Sequence, residues 1–198
     1  MPAKIITMSR QFGSGGRVIA QDVARELGWK FYDKELIEKI AEKSGLAKVF
    51  IEERGEDASI GQHLVYSASS GFGAFSQGQS VFDKLYVVQY NIIKELASGE
   101  PCVIVGRCAD YVLRDRNDCF NVFIQANLDF RIARTRDVYK IESNDYAKYL
   151  RDRDKKRKLY YKYNTEHTWG DVRNYDLCLN SSSLGLEKCT SLIVEAVR

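Results

Sequence analysis
Short apolar runs alternate along this chain with longer stretches in which apolar residues recur every three or four positions. The first run, 4–8, carries Ile5, Ile6 and Met8 and predicts a strand leading into Ser9-Arg10-Gln11-Phe12-Gly13-Ser14-Gly15-Gly16. Val18, Ile19, Val23 and Leu27 then repeat at helical spacing, and Gly28 supplies the stop. Phe31-Tyr32 reads as a brief second strand. A helix over 34–42 follows, with Leu36, Ile37, Ile40 and Ala41 as its buried stripe and Asp33 placed to cap it. From 55 to 80 the pattern dissolves into small residues with interspersed aromatics, which predicts a long loop that is functional or disordered. Periodicity returns over 81–98 with Leu85, Val88, Ile92, Ile93 and Leu96. Cys102-Val103-Ile104-Val105 is apolar throughout, the pattern of a parallel strand covered on both faces. The remaining order is a short helix over 109–113, a strand over 120–124, helical segments from 128 and over 144–161, a strand at 177–179 and a helix over 186–197.

Strands alternating with helices predict an α/β domain in three layers, a parallel sheet flanked by helices. No internal repeat and no low-complexity linker divides the chain, so one domain over 1–198 is expected. In such sheets ligands sit in the loops at the carboxyl ends of the strands. Those loops are 9–16, 106–108, 125–127 and 180–183, and most of the distinctive residues fall on them.

Composition narrows the class. Of 198 residues, 44% are hydrophobic and 12% aromatic, which argues against disorder. No apolar run approaches the roughly 20 residues of a membrane span, and no signal-peptide architecture opens the chain, so a soluble cytoplasmic protein is expected. Five Cys without a C-x-x-C pair read as reduced thiols rather than a disulfide frame or a zinc site, and two His leave little for a histidine metal centre. The net charge of +3 conceals an uneven distribution: 131–162 holds 12 Lys/Arg against five Asp/Glu, a local +7. Seven of the 12 Tyr lie between Tyr139 and Tyr175. Either an anionic partner or a solvated helix face accounts for that segment.

The glycine-rich turn between strand and helix is the geometry of a phosphate cradle. Gly13, Ser14, Gly15 and Gly16 let backbone N–H groups point inward, and the helix N-terminus adds partial positive charge. The pattern G-x-x-x-x-G-K-[ST] would add a Lys and a Mg²⁺-binding hydroxyl, and neither stands in register here. Gly106-Arg107 closes the central strand and directs an Arg toward the ligand crevice, where it meets an anion or pairs with a carboxylate such as Asp110. Arg153 and Arg157 stand one helical turn apart, two guanidinium forks on one face, suited to a polyphosphate or to solvent.

These pieces in this order resemble the cytidylate kinase-like family, a branch of the P-loop nucleoside-monophosphate kinases. The resemblance rests on Ser9-Arg-Gln-Phe-Gly-Ser-Gly-Gly-Arg17, on Leu27-Gly28 followed by Phe31-Tyr-Asp-Lys34, and on Val103-Ile-Val-Gly-Arg-Cys-Ala-Asp-Tyr111. Phe123-Ile-Gln-Ala126 leading to Arg131, Arg153-Asp-Lys-Lys-Arg157-Lys-Leu-Tyr-Tyr161 and Tyr175-Asp-Leu-Cys-Leu-Asn-Ser181 extend it over nearly the whole chain. It implies a three-layer parallel-sheet core with a mobile acceptor segment over 34–80 and a lid over about 140–172. It also implies transfer of the ATP γ-phosphoryl group to CMP or dCMP with Mg²⁺. Ser9, Arg10, Gly13, Ser14, Gly15, Gly16 and Arg17 would hold ATP, and Asp33, Arg107, Asp110 and Asp176 the acceptor. Arg17, Arg153 and Arg157 would act in catalysis, and Ser14 would contact Mg²⁺. Small nucleotides are the expected partners, not nucleic acid or membrane.

The chain also departs from the family pattern. Gly16 stands at the loop-Lys position, Arg17 follows it, and Val18 replaces the Mg²⁺-ligating hydroxyl. Arg17 or Arg10 is left to supply the cation, and Ser14 or Ser9 the hydroxyl. Cys108 and Asn180 stand where the pattern has Asp. Two alternatives therefore accompany the kinase reading: a catalytically impaired nucleotide-binding regulatory module, and a kinase for another small phosphate-accepting substrate.

Overall fold
In the computed structural model, residues 3–45 and 81–198 are described, so the irregular stretch expected over 55–80 lies outside the described residues. Five strands form one sheet: β1 (Ile5–Arg10), β2 (Lys30–Tyr32), β3 (Cys102–Val105), β4 (Cys119–Gln125) and β5 (Leu177–Asn180). Their order is β2-β3-β1-β4-β5 and every pairing is parallel. Parallel strands need crossovers, and helices supply them on both faces.

The alternation of side chains along β1 sorts the core. Ile6 and Met8, with Val103, Val105, Val122 and Ile124, face the layer of α1 (Gly16–Leu27) and the C-terminal helix Leu186–Val197. Ile5, Cys102 and Ile104 face the opposite layer, built from α2 (Lys34–Ser44), α3 (Val81–Ala97) and the one-turn α4 (Ala109–Val112). Both faces of β1 and β3 are therefore buried, which is why their sequences are apolar runs rather than alternating ones.

The sheet reverses its direction of growth at β1, with β3 on one side and β4 on the other. The crevice beyond the carboxyl ends of β1 and β3 is thus the topological switch point, where α/β sheets hold ligands. The segment expected to be helical from 128 is α5 (Leu128–Ala133), which continues as a π-turn over Arg134–Val138. The helix expected over 144–161 is α6 (Tyr146–Thr165), started by Asp145, whose side chain accepts a hydrogen bond from the Lys148 N–H. A short helix, α7 (Ser181–Leu184), precedes the C-terminal α8 (Leu186–Val197) and was not expected from periodicity. Among the described residues no helix is long and apolar enough to cross a membrane.

Candidate active site
The loop between β1 and α1 is held in shape by its own atoms. Gly13 and Gly15 adopt φ of +80° and +79°, the left-handed region. The Ser14 hydroxyl donates to the Gln11 carbonyl at 2.9 Å and accepts the Gly16 N–H at 3.3 Å, and the residue is fully buried. Ser14, expected to contact Mg²⁺, braces the loop internally through these two hydrogen bonds. From the far side, the buried Ser181 hydroxyl at the start of α7 donates to the Ser14 carbonyl at 2.6 Å, fixing the loop to the end of β5.

Phe12 anchors the loop to the basic segment. Its N–H donates to Asp154 Oδ1 at 2.9 Å, and its carbonyl accepts from Arg131 Nε at 2.7 Å. Arg131 and Asp154 are themselves an ion pair in which both side chains are buried. The Phe12 ring meets Tyr139 and Tyr149 edge-on, each at 5.7 Å between centroids. The guanidinium carbons of Arg153 and Arg157 lie 5.1 and 5.6 Å from the same ring. Arg153 and Arg157 therefore do share a face of α6, and that face is turned onto the glycine-rich loop after β1.

A neighbouring shallow, open cleft is lined by Ser9, Arg10, Arg107, Arg157, Tyr160 and Trp169 among others. Arg157 reaches it from α6 and donates to the Arg10 carbonyl at 2.8 Å. Arg107 reaches it through an unusual backbone: Gly106, Arg107 and Cys108 have φ of +72°, +58° and +56° in succession. Left-handed geometry at the two non-glycine residues costs about 1–2 kcal/mol each. The Gln89 side-chain amide holds the turn by donating to the Arg107 carbonyl at 2.8 Å, and Tyr160 in turn donates to Gln89 Oε1 at 2.9 Å. Strained backbone of this kind persists only where the surrounding structure holds it, and such positions cluster at functional sites.

The remaining expected residues are placed as follows. Arg17 turns outward and pairs with Asp33; the Arg17 side chain is 49% exposed, and neither residue lines the cleft. Asp110 is buried and accepts the Tyr161 hydroxyl at 2.6 Å. Burial, reinforced by the Asp110 charge, pushes the Tyr161 hydroxyl far above its ordinary pKa, so Tyr161 stays protonated as the donor. Asp176 is not brought to the cleft. Its carboxylate accepts the Asn121 N–H at 2.7 Å and its own N–H donates back to the Asn121 carbonyl at 2.8 Å, an extension of the β4–β5 edge.

Sequence reasoning missed four participants: Phe12, Asp154, Ser181 and Arg134. The Arg134 Nε is buried without a hydrogen-bond partner among the described residues, and a Cβ placed on Gly15 would lie 3.4 Å from it. The signal available for Arg134 was its position one turn after Arg131 in the +7 segment.

The loop's packing gives a direct test. A Cβ on Gly13 would lie 2.9 Å from the Arg131 carbonyl oxygen, whereas one on Gly28, also at positive φ, would meet nothing within 4 Å. Gly13→Ala should therefore destabilise the protein by about 1–3 kcal/mol and by more than Gly28→Ala, read from paired urea melts. Equal losses would show that the contact with Arg131 carries no energy.

Comparison with known proteins agrees with this architecture. The model of the cytidylate kinase-like family matches residues 5–183. No curated protein matches the chain. Among solved structures, an uncharacterized protein from Eubacterium ventriosum superposes with a TM-score of 0.72 at 25% identity, covering 98% of this chain and 97% of that one. Shikimate kinase from Acinetobacter baumannii, in complex with shikimate, gives 0.55 at 14% identity, covering 100% and 93%. TT1252 from Thermus thermophilus gives 0.55 at 15% identity, covering 100% and 97%. At these identities the last two establish the fold.

Proposed function
The chain belongs to the cytidylate kinase-like family, and from that premise we propose that it is a nucleoside-monophosphate kinase using ATP and Mg²⁺ to phosphorylate CMP or dCMP. Family and fold support a phosphotransferase; the acceptor is the part proposed here. The observation that carries the reading is the convergence of Arg10, Arg107 and Arg157, from β1, the β3 turn and α6, on one cleft beside the N-terminus of α1.

In the reaction an oxygen of the acceptor phosphate attacks the γ-phosphorus. The bond from that phosphorus to the bridging oxygen breaks, and ADP leaves with the bridging oxygen. Little covalent assistance is needed; alignment and cancellation of charge on the transferring oxygens are. The loop amides from Gly13 to Gly16 and the helix N-terminus suit the donor phosphates. Arg107, held by its strained turn, suits the acceptor phosphate, and Arg157 bridges the two sides. Mg²⁺ commonly rides on nucleotide phosphates and water with one or two protein oxygens, and it would supply charge neutralisation there. Ser9 is the hydroxyl that fits such an ion: it lines the cleft and shares a hydrogen bond with Tyr175, whereas the Ser14 hydroxyl is enclosed in the loop.

The test is an ADP-release assay with Mg-ATP across all nucleoside monophosphates. Turnover with CMP or dCMP above the others is expected. A folded protein that turns over none of them overturns the kinase assignment, and calorimetric ATP binding without turnover selects the regulatory-module reading, which Gly16 at the loop-Lys position favours. The placement of Asp176 outside the cleft favours the other alternative, a kinase for a different small phosphate acceptor, which the same panel extended to sugar and polyol phosphates would detect.

A further inference from the structure
The glycine at position 16 has a cause that lies in another residue. Gly16 carries no positive φ among the chain's special glycines, so its backbone does not demand glycine. Space does. A Cβ at position 16 would stand 2.6 Å from Arg10 Cβ, 3.2 Å from Arg10 Cγ and 3.1 Å from Ile124 Cβ. The first distance is closer than real carbon atoms approach, and Arg10 Cβ is fixed to the backbone of β1 rather than to a flexible tip. No side chain, and no lysine, can leave position 16 while the Arg10 stem occupies that space.

We propose that Arg10 and Gly16 are an exchanged pair: the loop cation is delivered from the last residue of β1, across the glycine at which a phosphate loop otherwise carries its Lys. Three observations favour Arg10 over Arg17 for this role. The Arg10 stem lies against the first residue of α1, where the loop amides and helix N-terminus converge. Arg10 lines the cleft together with Arg107 and Arg157. Arg17 is turned to the surface in its pair with Asp33 and does not line the cleft. The substitution also changes the chemistry. A guanidinium offers a planar fork to two phosphate oxygens where an ammonium offers a compact point charge, and it does not deprotonate. The Arg10 carbonyl meanwhile accepts from Arg157, so the position of the loop cation and that of the α6 arginine are set by one residue.

This inference rests on the reading of the loop as the holder of the donor phosphates, and its test separates the two. ATP binding in the presence of Mg²⁺ is measured by calorimetry, and turnover by ADP release, for wild type, Arg10→Ala, Arg10→Gly, Arg17→Ala, Gly16→Lys and the double variant Arg10→Gly/Gly16→Lys. Circular dichroism melts confirm folding. Arg10→Ala is expected to weaken ATP binding or lower kcat/KM at least about 100-fold, as loss of a charge-stabilising donor does, while Arg17→Ala stays within about threefold of wild type. Gly16→Lys alone should lower the melting temperature through the clash with Arg10. The double variant, which restores the ordinary arrangement, should melt above Gly16→Lys and recover at least about tenfold over Arg10→Gly in ATP binding or turnover. If Arg10→Ala binds and turns over like wild type, or the double variant is no better than Arg10→Gly, the exchange is wrong while the kinase assignment stands. If wild type binds ATP but phosphorylates no acceptor, the kinase assignment fails and the binding series still decides the exchange. If wild type binds no ATP, both fail.

Discussion

Replacing Arg157 with alanine is expected to lower kcat by about 10²–10³-fold, the effect of removing one preorganised donor from developing transition-state charge. ATP affinity should change by no more than about threefold, because an interaction made chiefly in the transition state leaves ground-state binding nearly intact. The structure makes this a demanding prediction. Arg157 is buried, lines the cleft and is held by the Arg10 carbonyl, so it is already in place before any nucleotide arrives. Arg157→Lys, which keeps the charge but loses the fork, should recover only part of the rate. Steady-state kinetics with separately measured ATP affinity checks both claims. Weakened ATP binding with unchanged kcat would place Arg157 in ground-state binding instead, and a large fall in melting temperature would make it a structural tie.

The second large effect belongs to a residue that touches no reacting atom. Asp154→Asn removes the charge partner of Arg131 inside the protein and weakens the bond to the Phe12 N–H. Breaking one side of a buried pair costs about 3–5 kcal/mol, because the other charge is left without compensation. For a domain of this size about 1 kcal/mol shifts the melting point by roughly 2–4 °C, so a fall of about 6–20 °C is expected. ATP binding should weaken in step, since Arg131 and Asp154 together satisfy both backbone groups of Phe12 at the entry to the loop. The double variant Asp154→Leu/Arg131→Met, which removes both charges, should regain a substantial part of the lost stability but not the loop's affinity. A melting point within about 2 °C of wild type for Asp154→Asn would show that solvent reaches the pair.

The uneven charge of the chain takes on meaning in this light. The +7 segment is not simply a solvated face, nor is it a free anion trap. The buried stripe of α6 is Leu150, Asp154, Arg157, Tyr161 and Thr165, helically spaced but mostly polar. An apolar search sees only Leu150 and Tyr161 in it and assigns the rest to solvent. Three of its members are buried because their partners come from far along the chain: Phe12 and Arg131 for Asp154, the Arg10 carbonyl for Arg157, Asp110 for Tyr161. Thr165 satisfies itself within the helix by donating to the Tyr161 carbonyl at 2.7 Å.

Read alone, the sequence determined the layered α/β architecture, the strands and principal helices, and the location of the loops at the carboxyl ends of the strands. Local periodicity reports burial faithfully when the buried groups are apolar, as in Ile5, Ile6 and Met8 of β1 or Cys102-Val103-Ile104-Val105 of β3. It also marked Gly13 to Gly16 and Arg107 as residues out of the ordinary. Only the tertiary structure distinguished Arg10 from Arg17, since both are near neighbours of Gly16 in sequence and it is the Arg10 stem that a Cβ on Gly16 would meet at 2.6 Å, while Arg17 pairs with Asp33 at the surface. It likewise joined Asp33 to Arg17, Asp110 to Tyr161 and Asp176 to the β4 edge, partners that local sequence does not announce. A charged side chain is assigned by the partner that satisfies it, and in this fold those partners stand as many as 147 positions away, as Arg157 does from Arg10.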